Sequence, residues 1–321
     1  MRTFDSSTAT GQGVNLREVF ARTLAAHADE RRDILLLDAD NTTATTEDLF
    51  ANAHPDRFLQ MGVAEQNMVG VAAGLSTMGF RPFVTCYACF QVFRAHDQVR
   101  VLLAQTGLPV TLVGQSAGLL TGLTGKTHQS IDDVAVLRAM PGMTIVVPGD
   151  EFELRSVVSW LLESRGPVYL RLTRGTSPHM FDDTYRFEFG KAVAIHQGGD
   201  VAIVSSGLQT TRVLEALPLL EAAGIHALVV HVPTIKPLDA DAIEEAARAT
   251  GRVVTVEDHT IVGGLGGAVC EVLAERFPAP VHRVGIQDTY AESASHDELV
   301  ERYGISPTAI AGSITGWLAH T

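Results

Sequence analysis

Cysteine, aromatic side chains and positive charge are all scarce in this chain of 321 residues. Only Cys86, Cys89 and Cys270 are present. An odd count with no framework excludes a disulfide-stapled secreted module and implies a reducing compartment, the cytoplasm. Cys86 and Cys89 form a single C-x-x-C with no second pair and no histidine nearby. Buried strand thiols are therefore expected there, not a metal or redox centre. Aromatics make up only 6% of the chain, so abundant glycine and alanine must carry close helix–sheet packing. Lys and Arg number 24 against 37 Asp and Glu, a net charge of −13. That balance argues against nucleic acid or an anionic membrane as the main partner. No apolar run approaches the roughly 18 residues of a membrane span. The polar N-terminus, MRTFDSSTATGQG, has no apolar signal core.

What is there centres on one stretch, Met61 to Leu75. It follows a short apolar run, Arg57 to Met61, and reads as a helix of small and apolar residues expected to be buried on most sides. Gly70 and Gly74 share one face and would let another backbone approach. Glu65 stands at the helix start with no cation near it in sequence. A buried glutamate is uncommon unless something pairs with it. Either it caps its own helix, or it hydrogen-bonds a ligand nitrogen.

Around this stretch the pattern alternates. Strands are expected at 33–40, 80–87, 110–114, 144–148 and 168–174, with helices at 15–28, 90–105, 131–139 and 151–164 between them. Continuous apolar runs such as Ile34-Leu35-Leu36-Leu37 suit parallel strands buried on both faces. Residues 1–13 read as a loose arm, Asn41 to Thr46 as a threonine-rich loop, and 175–189 breaks the pattern. A second run of strands and helices then occupies 201–284. The fold class is α/β: two three-layer α/β domains with mostly parallel sheets, over 1–175 and 190–321, joined by a linker at 176–189. Loops at the strand C-termini are where such sheets bind ligands.

The segments Gly62-Val63-Ala64-Glu65-Gln66-Asn67-Met68 and Gly125-Lys126-Thr127-His128-Gln129 together resemble the pyrimidine-binding half of the transketolase family of thiamine-diphosphate enzymes. Residues 190–321 resemble that family's C-terminal domain. The resemblance implies that Glu65 meets N1′ of the cofactor's aminopyrimidine, and that Tyr87 and Phe90, with Phe93 a further candidate, stack on that ring. It implies that Asp40 lies near the cofactor and a subunit contact, although a plain strand-end turn residue would read the same way. His128 matches a histidine that contacts substrate oxygens and shuttles protons, and Arg17 and Arg174 match arginines that grip a substrate phosphate.

Two departures qualify the match. The family's Gly-Glu-Asp-Gly is here Gly122-Leu123-Thr124-Gly125, so Thr124 stands where an aspartate holds substrate hydroxyls, and Ser116 replaces a second histidine. A shorter, less hydroxylated or differently held acceptor is implied. The Gly-Asp-Gly…Asn motif that holds Mg²⁺ and the diphosphate is missing. The expectation is therefore a split enzyme. A separate N-terminal transketolase subunit would supply the diphosphate-binding domain, in an α₂β₂ heterotetramer that transfers a two-carbon ketol unit from a ketose or 2-oxo donor to an aldehyde. The alternatives are the β subunit of a 2-oxo acid dehydrogenase E1 component and a non-catalytic scaffold relative.

Overall fold

The computed structural model describes residues 1–4, 13–41 and 46–320. Residues 5–12 of the N-terminal arm and 42–45 of the threonine-rich loop lie outside the described residues.

Two sheets carry the chain. The first has seven strands in the order Thr234–Lys236, Thr144–Val146, Val168–Thr173, Thr111–Ala117, Arg81–Tyr87, Ile34–Asp38 and Phe58–Gln60. All its pairings are parallel except that of Thr234–Lys236 with Thr144–Val146. The second has six strands in the order Arg2–Thr3, Val193–His196, Ala227–His231, Val201–Ser205, Val253–Thr260 and Val281–Ile286. Here only the pairing of Val193–His196 with Ala227–His231 is antiparallel. The expected mostly parallel α/β architecture is what forms.

The strand period of two explains the layers. Ile34 and Leu36 point into a core packed by the helices Leu16–Glu30 and Glu151–Leu161, whose Phe20, Leu24 and Val157 are fully buried. Leu35 and Leu37 point the other way, toward Met68, Val69 and Ala72 of the helix Glu65–Thr77. That second core runs on without a break to Ala202, Val204 and Val230 of the other sheet. The far face of the second sheet is closed by Gln209–Ala222 and Pro307–Leu318.

The two sheets also exchange strands. Arg2–Thr3, expected in a loose arm, pairs with Val193–His196 in the second sheet. Thr234–Lys236 crosses back to edge the first sheet. Residues 176–177 of the expected linker pair with Val14–Asn15. Phe181 and Tyr185 of the same segment stack with ring centroids 3.9 Å apart. A fully buried Arg171–Asp133 ion pair at 2.8 Å lies on the seam between sheets, with Arg171 also donating to the Asp258 carbonyl at 3.0 Å. No helix among the described residues is long and apolar enough to cross a membrane.

The helix Glu65–Thr77 corrects one expectation. It buries one face only, through Met68, Val69, Ala72, Ala73 and Ser76. Gln66, Asn67 and Gly74 are exposed, and nothing among the described residues outside the helix's own backbone comes within 4 Å of where a Cβ on Gly70 or Gly74 would sit. The close backbone approach expected at those glycines is not made within this chain.

Candidate functional site

Parallel pairing brings the C-terminal ends of the central strands to one edge of the first sheet, and the expected residues gather there. Asp40 follows the strand Ile34–Asp38, Tyr87 ends Arg81–Tyr87, Ser116 lies near the end of Thr111–Ala117, and Arg174 follows Val168–Thr173. Glu65 begins its helix just after Phe58–Gln60, and Arg17 sits in the first turn of Leu16–Glu30.

Glu65 is 1% exposed, and its carboxylate does not cap its own helix. Oε1 accepts a hydrogen bond from Arg94 Nη1 at 2.6 Å and faces the Cys86 thiol at 3.8 Å. Oε2 is buried with no hydrogen-bond partner among the described residues. A buried carboxylate oxygen left open is costly unless a donor arrives. This is the feature that fits a ligand nitrogen. Burial drives the Cys86 thiol far above its ordinary value and pushes Cys89 up to about 12; both are buried as expected, but only Cys86 lies on the strand, Cys89 falling in the helical turn after it.

Three rings are linked to this carboxylate through Arg94, which sits 4.8 Å over the Phe90 ring. Tyr87 and Phe90 meet edge to face at 6.0 Å, and the His128 ring packs on both, at 5.5 Å from Tyr87 and 5.1 Å from Phe90. His128 Nδ1 is 2.9 Å from the Thr127 hydroxyl, which orients the imidazole. Phe93 stands apart. It is 42% exposed and lines a cleft of about 430 Å³ with Phe90, Lys126, Thr127, Asp132 and Tyr290, making no ring contact with Tyr87 or His128. Asp40 also stands apart, exposed at a positive φ of 61°, with its amide donating to Gln60 Oε1 at 2.7 Å.

Arg17, Ser116 and Arg174 form a second group. Arg17 is 7% exposed, and its Nη1 donates to Ser116 Oγ at 3.4 Å. Burial, and then the nearby charge of Arg174, pull the Arg17 guanidinium below its ordinary value. The buried Glu47 acts in the opposite sense to Arg174, and the two arginines are candidates for holding an anion.

Thr124 is exposed, and its hydroxyl turns back to the Thr121 carbonyl at 2.6 Å. Its loop is pinned from below by the C-terminal half: Ala294 N donates to Gly122 O at 3.3 Å, and Gln129 Nε2 to Glu292 O at 3.1 Å. Gly125 has φ +71°, and a Cβ there would land on the Ser293 hydroxyl, so only glycine fits.

Two residues went unread in the sequence. Arg94 lies 29 residues from Glu65 and gives no local sign of the pairing. Glu47 is fully buried, accepting from Thr85 Oγ1 at 2.7 Å and Gln115 Nε2 at 2.6 Å. Among the described residues no group of three or more His, Cys, Asp or Glu side chains could hold a metal ion.

Fold and site define an α/β protein whose candidate site, at the strand C-termini, combines a buried glutamate with three rings packed edge to face. Residues 12–179 match the family model for the transketolase pyrimidine binding domain, and residues 190–310 match that for the transketolase C-terminal domain. The 6-deoxy-6-sulfo-D-fructose transketolase subunit SqwH of Clostridium sp. (strain MSTE9) is 39% identical over 295 residues, covering 92% of this chain and 92% of that one. An apulose-4-phosphate transketolase subunit of Phocaeicola vulgatus is 38% identical over 295 residues, covering 92% and 94%. A solved split gene transketolase, described as an inactive beta4 tetramer, matches with a TM-score of 0.88 at 41% identity, covering 96% and 99%. The chain belongs to the transketolase family.

Proposed function

We propose that this chain is the C-terminal subunit of a two-component, thiamine-diphosphate-dependent transketolase-like transferase. It moves a two-carbon ketol unit from a ketose or 2-oxo donor to an aldehyde-type acceptor. The observation that carries this reading is the buried Oε2 of Glu65, without a hydrogen-bond partner among the described residues and linked through Arg94 to the rings of Phe90 and Tyr87. When bound, thiamine diphosphate supplies a nucleophilic carbon that makes and breaks the bond beside a ketone.

The residues divide the work. Glu65 holds a proton at the aminopyrimidine N1′, in a pocket from which water is excluded. Tyr87 and Phe90 fix the ring, with Phe93 and Asp40 at its margins. His128, held by Thr127 and wedged against both rings, exchanges protons with substrate oxygens. Arg17 and Arg174 grip a terminal anion, with Ser116 orienting Arg17 and Thr124 at the edge of the acceptor site. Relatives named for a sulfo-sugar and for a sugar phosphate agree with an anionic tail on the substrate.

The described residues do not fit a Mg²⁺ site, and no step here runs through one. In this reading the metal and the diphosphate belong to an N-terminal subunit, in an α₂β₂ assembly. The open face of the helix Glu65–Thr77, with Gly70 and Gly74, suits a subunit contact in that assembly. Three free cysteines agree with a cytoplasmic location.

The test is a calorimetric titration of thiamine diphosphate with Mg²⁺ into the chain alone and into its mixture with the N-terminal subunit. The expected result is binding in the mixture only, at one cofactor per pair. Binding to neither, with the two chains shown to associate, leaves the scaffold reading in its place.

A further inference from the structure

We propose that Arg94 is a positioning residue: it holds Oε1 of Glu65 so that Oε2 alone faces the cofactor ring. This rests on the thiamine-diphosphate reading above. Three observations carry it.

The first is the unequal treatment of the two carboxylate oxygens. Oε1 takes the Arg94 guanidinium at 2.6 Å and the Cys86 thiol at 3.8 Å, while Oε2 is buried and open. A carboxylate with neither oxygen held could rotate, and a ring nitrogen would have to order it on binding. With Oε1 fixed, that ordering cost has been met before the ligand arrives.

The second is the local backbone. Arg94 ends a π-helical turn, Phe90–Arg94, inside a segment whose sequence reads as ordinary helix. The stretch is capped by Ala95, and a second π-helical stretch, Val99–Ala104, follows the short helix His96–Gln98; π-helical geometry is frequent at functional sites.

The third is where the guanidinium lies. It sits 4.8 Å over the Phe90 ring, whose other neighbours are Tyr87 and His128. Arg94 thus ties the acid to the rings that flank the cofactor, and a planar cation is suited to both contacts at once. It is 45% exposed, so it reaches Glu65 from the open side of the pocket and is not part of the packed core.

The alternative is a latch. Arg94 would then occupy the carboxylate only while the pocket is empty, and the cofactor would have to displace it. The two roles predict opposite signs for the same variant.

The experiment is a double-mutant cycle on thiamine diphosphate affinity, measured calorimetrically with Mg²⁺ on the complex with the N-terminal subunit. Near-ultraviolet circular dichroism of the bound aminopyrimidine is the second readout. Arg94→Gln is expected to weaken binding about tenfold, the size of one charge-assisted hydrogen bond, and to change the dichroic band. Arg94→Lys, which restores the charge, is expected to recover most of the loss. In a Glu65→Gln background the Arg94→Gln change is expected to fall below about twofold, because its partner is already altered.

Binding of Arg94→Gln that equals or exceeds wild type overturns the positioning role and leaves the cofactor reading intact. So does an equal loss in both backgrounds, which would mark a general structural defect. A wild-type complex that binds no cofactor overturns both.

Discussion

Around Glu65, side chains from separate segments of the chain form one linked set: acid to Arg94, Arg94 to Phe90, and Phe90 to Tyr87 and His128. Around Arg17 the set is looser. Arg17 donates to Asn15 Oδ1 at 3.3 Å and to Ser116 Oγ at 3.4 Å, feels Arg174 and Glu47 in opposite senses, and Thr124 spends its hydroxyl on its own loop. Beside Thr124, Leu123 is 83% exposed where the family pattern has an acid. The first region is already arranged for one ligand, with a single open oxygen left to fill. The second sets two arginines near each other beside the buried Glu47, with the exposed Leu123 on the neighbouring loop. In the proposed enzyme the ring side therefore fixes the chemistry, and the anion side fixes which substrate is admitted.

The sharpest break in this comparison comes at Glu65. Glu65→Gln is expected to lower kcat by about 10²–10⁴-fold, the usual span of one general acid–base group. Subunit association should be unchanged, since the carboxylate faces the pocket and not the open face of its helix. Steady-state kinetics with a sedimentation control would check it. A loss of less than about tenfold would remove Glu65 from the chemistry.

The seam that holds the two regions in register supplies a pH test. His259 bridges the two halves as a neutral ring: Nδ1 donates to Thr260 O at 2.7 Å, and Nε2 accepts from Ala135 N at 3.3 Å. Burial lowers it from 6.5 to about 4. With the folded value below the unfolded one, its contribution is complete above the unfolded value and is lost as pH falls through the folded one. The full shift corresponds to about 3 kcal/mol. Burial pushes Asp133 up, but the charge and hydrogen bonds of Arg171, with His259 and Tyr169, together hold it below its ordinary value, so its own loss comes at still lower pH. Glu257, 3.7 Å from His259, is pushed up to about 7 by burial and acts in the opposite sense over the same fall in pH, so the His259 contribution is read as a difference between two denaturant-unfolding profiles. From pH 6.5 to about 4 wild type should lose stability relative to His259→Gln, and two parallel profiles would contradict the neutral-ring assignment.

How much of this was legible depended on whether the signal was local. The strands of both sheet centres were readable because burial on two faces demands an unbroken apolar run, as in Ile34 to Leu37. Glu65, Tyr87, Phe90 and His128 were readable because each lies in a short motif at a strand end or helix start. The exchanged strands Arg2–Thr3 and Thr234–Lys236 were not, since two or three residues carry no period and their partners are about 190 and 90 positions away. The same distance hid Arg94. Its only sequence cue is the four-residue spacing from Phe90, which ordinary helices also show. The helix His296–Arg302 was missed despite a readable sign, the Ser295…Glu298 capping box.

On the anion side the effects should be smaller and should fall on substrate affinity. Arg174→Ala is expected to raise KM for a donor with a terminal phosphate or sulfonate by about 10–100-fold, the worth of one charged hydrogen-bonding group, with kcat changed little. For a donor without the anion, KM should hardly move. If both donors suffer equally, Arg174 serves the fold and the division between the two regions fails.

The smallest expected effect tests the division most finely. Thr124→Asp returns a carboxylate to the lip of the acceptor site without touching the rings or the arginines. Thr124 is exposed, so the change should leave stability within about 0.5 kcal/mol. A carboxylate there can accept from substrate hydroxyls, which the present hydroxyl, committed to Thr121 O, does poorly. The added negative charge would also weakly disfavour an anionic tail on the substrate. The two effects have opposite signs for different substrates. Preference should therefore shift a few-fold toward polyhydroxylated acceptors, measured as a ratio of kcat/KM values, with cofactor affinity unchanged. A shift in cofactor affinity instead would mean that the two regions are coupled through the loop that Gly122 and Gly125 pin to the C-terminal half.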